Sequence, residues 1–210
     1  MRKLFFTVLI IMSTQWAHAQ LNALTETGDE VILYNNGTWK YLNDKKSAEH
    51  IKIPTNNKKF TKNEQSTFLV KSKKVNVGVW INPKKWNFSK GESGDAFEFR
   101  FINKEDDLYS MLITEKVEIP LEVLKEIALE NARSVSPDIK LIDQEYRTVN
   151  GLKVLMLQMS GSIQGIKFTY LGYYYSSPKG TIQLISYTGE SIFKNHISEF
   201  EALLNGFTEY

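Results

Sequence analysis

The 210-residue sequence contains no cysteine. That excludes a disulfide framework and a thioether-linked lipid anchor, so an exported domain of this kind must rely on its core. Histidine is nearly as scarce. There are three in all, and only His50 and His196 lie beyond the first 19 residues. A zinc site needs three or four ligands with Cys or His among them, which this composition barely permits. A Ser-His-Asp hydrolase would have to use His196. Long apolar runs are missing too. The longest, "LFFTVLIIM" at residues 4–12, falls well short of the roughly 20 residues that cross a bilayer.

Phosphate loops are absent as well: neither G-x-x-x-x-G-K-[ST] nor G-x-G-x-x-G occurs. "GSIQG" at residues 161–165 resembles a nucleophile elbow only superficially, because Ile163 stands where the serine belongs. It reads as a hairpin loop. "KEDD" at residues 104–107 clusters three carboxylates without the spaced calcium loop, and reads as a solvated turn. No catalytic residue, metal site or cofactor is expected.

What is present begins with an export signal. Arg2 and Lys3 precede the apolar run, and Ala17-His18-Ala19 places small residues where a signal peptidase reads. Residues 1–19 are the expected signal peptide, cleaved after Ala19, with the product periplasmic or extracellular. Losing Arg2 and Lys3 leaves 24 basic against 24 acidic residues. A neutral chain argues against general nucleic-acid binding, which needs clustered Lys and Arg. No membrane span is expected.

Three segments follow. Residues 20–43 read as a small β-meander, with turns at Gly28-Asp29 and Asn36-Gly37. Val31, Leu33, Trp39 and Tyr41 share a face by alternation. Residues 44–67 are rich in Lys, Asn and Thr and read as a basic flexible linker. Residues 44–75 carry nine lysines against three acids, so a tether to an anionic surface is the functional alternative there.

Residues 68–210 read as one α+β domain. Val75, Val77 and Val79 alternate into Trp80, and Phe97, Phe99 and Phe101 alternate against Glu98 and Arg100. Leu121, Leu124, Ile127 and Ala128 recur at helical spacing, predicting a helix over about 120–134. Two strand pairs follow, turned by Asn150-Gly151 and by Pro178-Lys179-Gly180. A last helix over about 191–205 takes Ser191 as N-cap and Gly206 beyond its end. The expected architecture is an antiparallel sheet sandwiched by two amphipathic helices.

Residues 168–189 hold five tyrosines and a phenylalanine. Alternation sends Phe168, Tyr170, Gly172 and Tyr174 to one face, and Leu171, Tyr173 and Tyr175 to the other. That suits a strand covered on both sides. A ligand platform of Tyr173, Tyr175 and Trp80 is the functional alternative.

"INPKKW", the Asn-Gly hairpin, and the ending "YLGYYYSSPKGTIQLISYTGESIFKNHISEFEALLNGF" together resemble the PsbP-like fold over about residues 74–207. That fold is shared by the extrinsic photosystem II protein, a Ran-binding nuclear import factor and exported bacterial families. The resemblance implies a non-enzymatic binding or assembly role, and transfers no functional residue. The expectation is a binding or assembly module of the bacterial cell envelope, its partner an unidentified envelope protein. Trp80, Trp86 and Tyr109 are the expected anchors of its groove. The alternative is a carrier with an apolar cavity between helix and sheet, holding a small apolar ligand. A hydrolase using His196 is less favoured.

Overall fold

Two-residue turns decide the largest part of the structure. Asn150 and Gly151 adopt φ of 47° and 87°, and Gln164 and Gly165 adopt 52° and 81°. Paired positive φ values match the twist of a tight hairpin. They fold the chain into a meander of β10 (Lys140–Val149), β11 (Leu152–Ile163), β12 (Ile166–Ser177) and β13 (Gly180–Gly189). The third turn, Pro178-Lys179, closes on the pair Ser177 and Gly180. The expected hairpins at Asn150-Gly151 and Pro178-Lys179-Gly180 are realised, whereas of "GSIQG" only Gln164 and Gly165 form the turn and residues 161–163 extend β11.

The protein is described from a computed structural model. It covers residues 21–25, 30–33, 39–42 and 53–210. The chain divides into two compact units, Met1–Lys52 and Ile53–Tyr210. The first unit contains β1 (Leu21–Leu24), β2 (Glu30–Leu33) and β3 (Trp39–Tyr41), paired antiparallel in that order. Val31 pairs with Tyr41 and Leu33 with Trp39, as the alternation requires. The expected signal peptide and both meander turns lie outside the described residues.

The second unit is α+β, with mostly antiparallel sheets. Its strands before the meander are β4 (Thr55–Phe60), β5 (Phe68–Lys71), β6 (Val77–Ile81), β7 (Trp86–Lys90), β8 (Phe99–Asn103) and β9 (Tyr109–Glu115). The eight-stranded sheet runs β4-β10-β11-β12-β13-β9-β8-β7. A three-stranded sheet places β6 between β5 and β14 (Phe207–Glu209). The helices are α1 (Leu121–Val135) and α2 (Glu190–Leu204). Neither is long and apolar enough to cross a membrane.

β4 corrects the linker expectation for residues 55–60. It pairs parallel with β10, matching Tyr146 to Thr55 and Val149 to Phe60. "TNNKKF" has one apolar residue, so hydropathy reads it as linker; the backbone ladder of an edge strand holds it instead. Exposed lysines on such an edge also discourage further strand pairing. Residues 44–52 lie outside the description.

The core divides along β12. Leu171 and Tyr173 join a cluster with Phe193, Phe200, Leu203 and Leu204 of α2. Tyr174 joins another with Leu124 and Ala128 of α1 and Leu155 and Leu157 of β11. Tyr173 and Tyr174 are each 1% exposed, on alternate sides of one strand. Gly172 leaves room for a close approach: a Cβ there would stand 3.0 Å from the Tyr174 ring, which would have to give way.

One detail of α2 differs from expectation, and Gly206 lies just beyond the Asn205 cap as expected. β13 runs straight into it, so Gly189 occupies the cap position and Ser191 lies inside the first turn. Gly206 is needed for packing, because a Cβ there would meet the Trp80 carbonyl oxygen at 2.0 Å.

Candidate functional site

Glu201 sits on α2, and Asn205 caps its C-terminal end. Arg147 reaches them from β10. Its Nε donates to Glu145 Oε1 at 2.5 Å, and one Nη donates to Tyr173 Oη at 3.0 Å and Glu201 Oε1 at 2.9 Å. Its guanidinium lies 4.5 Å from the Phe60 ring centre. Arg147 is buried. Burial works against its charge, but Tyr173, Glu145 and Glu201 outweigh that and raise its pKa. The Tyr173 hydroxyl donates in turn to Asn205 Oδ1 at 2.9 Å. Burial pushes that hydroxyl up to about 12, and Arg147 pulls against the rise. The seam therefore holds a permanent cation and a neutral phenol at any physiological pH. A cation at a helix C-terminus also meets the negative end of the helix dipole.

Beside this seam α2 borders a cleft. Its far wall is the segment at residues 61–66 together with the β6–β7 turn. One part, about 230 Å³, reaches Asn82, Lys85 and Trp86. The neighbouring part, about 540 Å³ and more open, reaches Lys62, Glu201 and Asn205. Asn63, Gln65, Ser198 and Ala202 line both.

Local structure fixes these walls. Asn63 Oδ1 accepts from Gln65 N at 2.8 Å, and Asn82 Oδ1 from Lys84 N at 3.0 Å, so both asparagines shape their own turns. Asn150 holds the wall to the strands. Its Oδ1 accepts from Lys62 N at 3.0 Å, and its Nδ2 donates to the Asn205 and Phe207 carbonyls.

The charges of the cleft are largely paired. Lys85 bonds Glu199, which raises the lysine pKa. Trp86 Nε1 donates to Glu199 at 3.0 Å. Glu201 is held by Arg147. Lys62 and Glu64, one of each sign, are the remaining charged residues of the wall.

The expected site residues do not form one patch. Trp86 lines the cleft but is only 3% exposed. Tyr109 lies on the other face of the sheet: it opposes Ile102, whereas Trp86 opposes the next residue, Asn103. There Tyr109 stacks on Tyr187 with ring centres 5.5 Å apart. Trp80 carries Lys62 over its ring at 5.2 Å. Tyr173 is in the buried seam. Tyr175 donates to Glu209 at 3.0 Å and packs on Phe207. The rings proposed as a platform are thus engaged by their own chain.

His196 Nδ1 stands 3.7 Å from Asp106 Oδ2, and no serine hydroxyl bonds it among the described residues. Glu98, a buried acid, accepts from Ser72 Oγ, Thr114 Oγ1 and Lys73 N, and ties three segments together. Among the described residues, no group of three or more His, Asp or Glu could hold a metal ion.

Sequence reasoning passed over Arg147, Glu201, Asn205, Asn63 and Gln65. One signal was available. Only four of the 26 basic residues are arginine. A planar, always-charged fork suits a buried multi-acceptor site better than lysine does.

No family model and no curated protein matches the chain. Solved structures do. The solution structure of the cyanobacterial PsbP from Synechocystis superposes with a TM-score of 0.54 at 17% identity, covering 68% of this chain and 92% of that one. The fold is PsbP-like. LpqN, involved in cell envelope biogenesis of Mycobacterium tuberculosis, matches at a TM-score of 0.47 and 14% identity, covering 67% of this chain and 88% of that one. At these identities a PsbP-like fold carries architecture alone, so function rests on the cleft and the seam.

Proposed function

We propose that this chain is an exported, non-enzymatic binding or assembly module of the bacterial cell envelope, and that its partner docks in the cleft beside α2. The observation that carries the reading is the cleft itself: a recess of side-chain amides and hydroxyls whose charges are mostly paired, next to a seam that fixes its geometry. Such a site recognises without activating. The first 19 residues support export, and the envelope role of LpqN accords with it. The PsbP-like fold supports a sheet covered by one helix on each face, with residues 53–210 as the working domain.

A carrier of apolar small molecules would need an enclosed apolar cavity, and the cleft beside α2 is open, with side-chain amides and charged groups among Trp86, Ala202 and Leu203. A hydrolase would need His196 to engage a nucleophile, and among the described residues its ion-pair partner is Asp106. The test is a crosslinking pull-down from native envelopes. The purified chain should capture a protein that the Ala202→Trp variant, its cleft filled, loses at least tenfold. Equal capture by both would remove the cleft from the reading.

A further inference from the structure

Residues 65–91 carry six lysines and no aspartate or glutamate; Glu64 and Glu92 bound the stretch. It forms β5, β6, β7 and the turns between them. Lys85 is paired with Glu199, and Lys74 Nζ donates to the Thr114 carbonyl at 3.4 Å. Lys71, Lys73, Lys84 and Lys90 have no ion-pair partner among the described residues. The same stretch holds the only phenylalanines exposed among the described residues. These are Phe68 and Phe88, at 46% and 43% exposure, and their rings touch with centres 5.5 Å apart. Their place in the fold explains the exposure. β5 is an edge of the small sheet and β7 an edge of the large one, and the two free edges meet at this ring pair. They meet again at Glu98, whose carboxylate accepts from Lys73 N and whose carbonyl accepts from Gly91 N. Glu98 is only 4% exposed, so it offers solvent little charge. Lys73 and Lys90 stand at that end, with Lys90 on the face of Phe88 by alternation. Lys84 stands at the other end, in the β6–β7 turn.

We infer that this rim docks on an anionic bilayer surface, with the Phe68 and Phe88 rings entering the interface and Lys73, Lys84 and Lys90 set against lipid headgroups. The surface lies outside the cleft, and the inference does not depend on it. Charge complementarity selects the partner. A stretch of one sign with its cations unpaired calls for a dense negative surface, and anionic lipid attracts each lysine held near it. The ring pair asks for an apolar phase as well, and apolar burial together with lysine attraction is how peripheral proteins hold an interface. A second copy of this chain would set these lysines against their own copies, and lysines on a free edge discourage strand pairing. A nucleic-acid strand would want ring faces open to successive bases. Here the two rings lie on one another, tilted by 31°, too close to admit a base.

The test sediments the purified chain with vesicles of phosphatidylcholine alone and of phosphatidylcholine mixed with phosphatidylglycerol. Binding to the mixed vesicles should be about tenfold tighter or more, and should fall as salt is raised. Phe68→Ser with Phe88→Ser, and separately Lys73→Gln with Lys90→Gln, should each weaken it by about fivefold or more. The lysine variant keeps every apolar contact, so it tests the surface even where the phenylalanine variant fails to fold. The chain has no cysteine, so Phe88→Cys, or Ile166→Cys at the start of β12, gives one site for an environment-sensitive dye. On mixed vesicles the dye at position 88 should shift to the blue, and the dye at position 166 should stay as in water. Binding that ignores phosphatidylglycerol, binding that survives both double variants, or a dye at position 88 that stays in water would each overturn the inference. Polyglutamate is the second probe. Its capture without vesicle binding would assign the surface to an acidic protein and overturn the bilayer as partner.

Discussion

Tyr173 and Tyr174 are neighbours in β12, equally buried, and belong to different worlds. Tyr174 looks into a hydrocarbon cluster under α1, with Leu124, Leu155 and Leu157. Tyr173 looks toward α2, where its hydroxyl joins Arg147, Glu201 and Asn205. The α1 flank is held by area, and tolerates imprecision as cores do. The α2 flank has the larger apolar cluster, with Phe193, Phe200 and Leu204, and adds directed polar bonds that lose much if one partner is removed. The recognition proposed for the cleft beside α2 would require that precision, and the α1 flank would have no comparable need. Burial alone would rank the two tyrosines as equals; the partners of their faces distinguish scaffold from site.

The comparison can be broken in several ways. Arg147→Met should have the largest effect. It leaves Glu145 and Glu201 without their cation, and should cost about 3–5 kcal/mol in urea unfolding. Partner capture should fall with it even at temperatures where the variant is folded. Leu124→Ala comes next, at about 3 kcal/mol from the cavity under α1. The folded variant should capture partner normally, and an equal loss of capture from Leu124→Ala would erase the distinction between the flanks. Tyr173→Phe removes one hydroxyl from the seam, so stability should drop by about 1–2 kcal/mol. Capture should weaken through Asn205, which an unmoved Asn205 side-chain resonance would contradict.

The smallest effect is a pH dependence outside both flanks. Hydrogen bonds from Ser136 and Ser162 hold the Asp138 carboxyl down at about 2, below its ordinary 3.8. A depressed carboxylate stabilises the fold above its unfolded pKa, and the contribution disappears as pH falls through the folded one. The tie between the α1–β10 turn and β11 should therefore persist at pH above 3.8 and loosen toward 2. The Asp138 carboxyl resonance should titrate near that lower value; a midpoint at 3.8 would show the tie is not formed.

Much of the scaffold was legible in the sequence because its signals are local. Asn150-Gly151 specified a hairpin, the spacing from Leu121 to Ala128 specified α1, and alternation assigned Tyr173 and Tyr174 to opposite faces. β4 was hidden because its one apolar residue, Phe60, finds its meaning under Arg147. The cleft was hidden because its partners are distant in the chain. Trp86 and Glu199 are 113 residues apart, and Lys62 and Asn150 are 88 apart. Aromatic residues drew the eye to Trp80, Tyr109 and Tyr175, yet amides and one scarce arginine build the site. No periodicity marks an asparagine whose oxygen closes a turn.

The most direct measurement is site-specific photo-crosslinking in native envelopes. A photoreactive residue placed at Ala202, in the cleft, is compared with one at Met111, on the sheet face that carries Tyr109. An adduct with one envelope protein from Ala202 and none from Met111 is the predicted result. An adduct from Met111 alone, or from neither position, would contradict the claim that recognition resides beside α2.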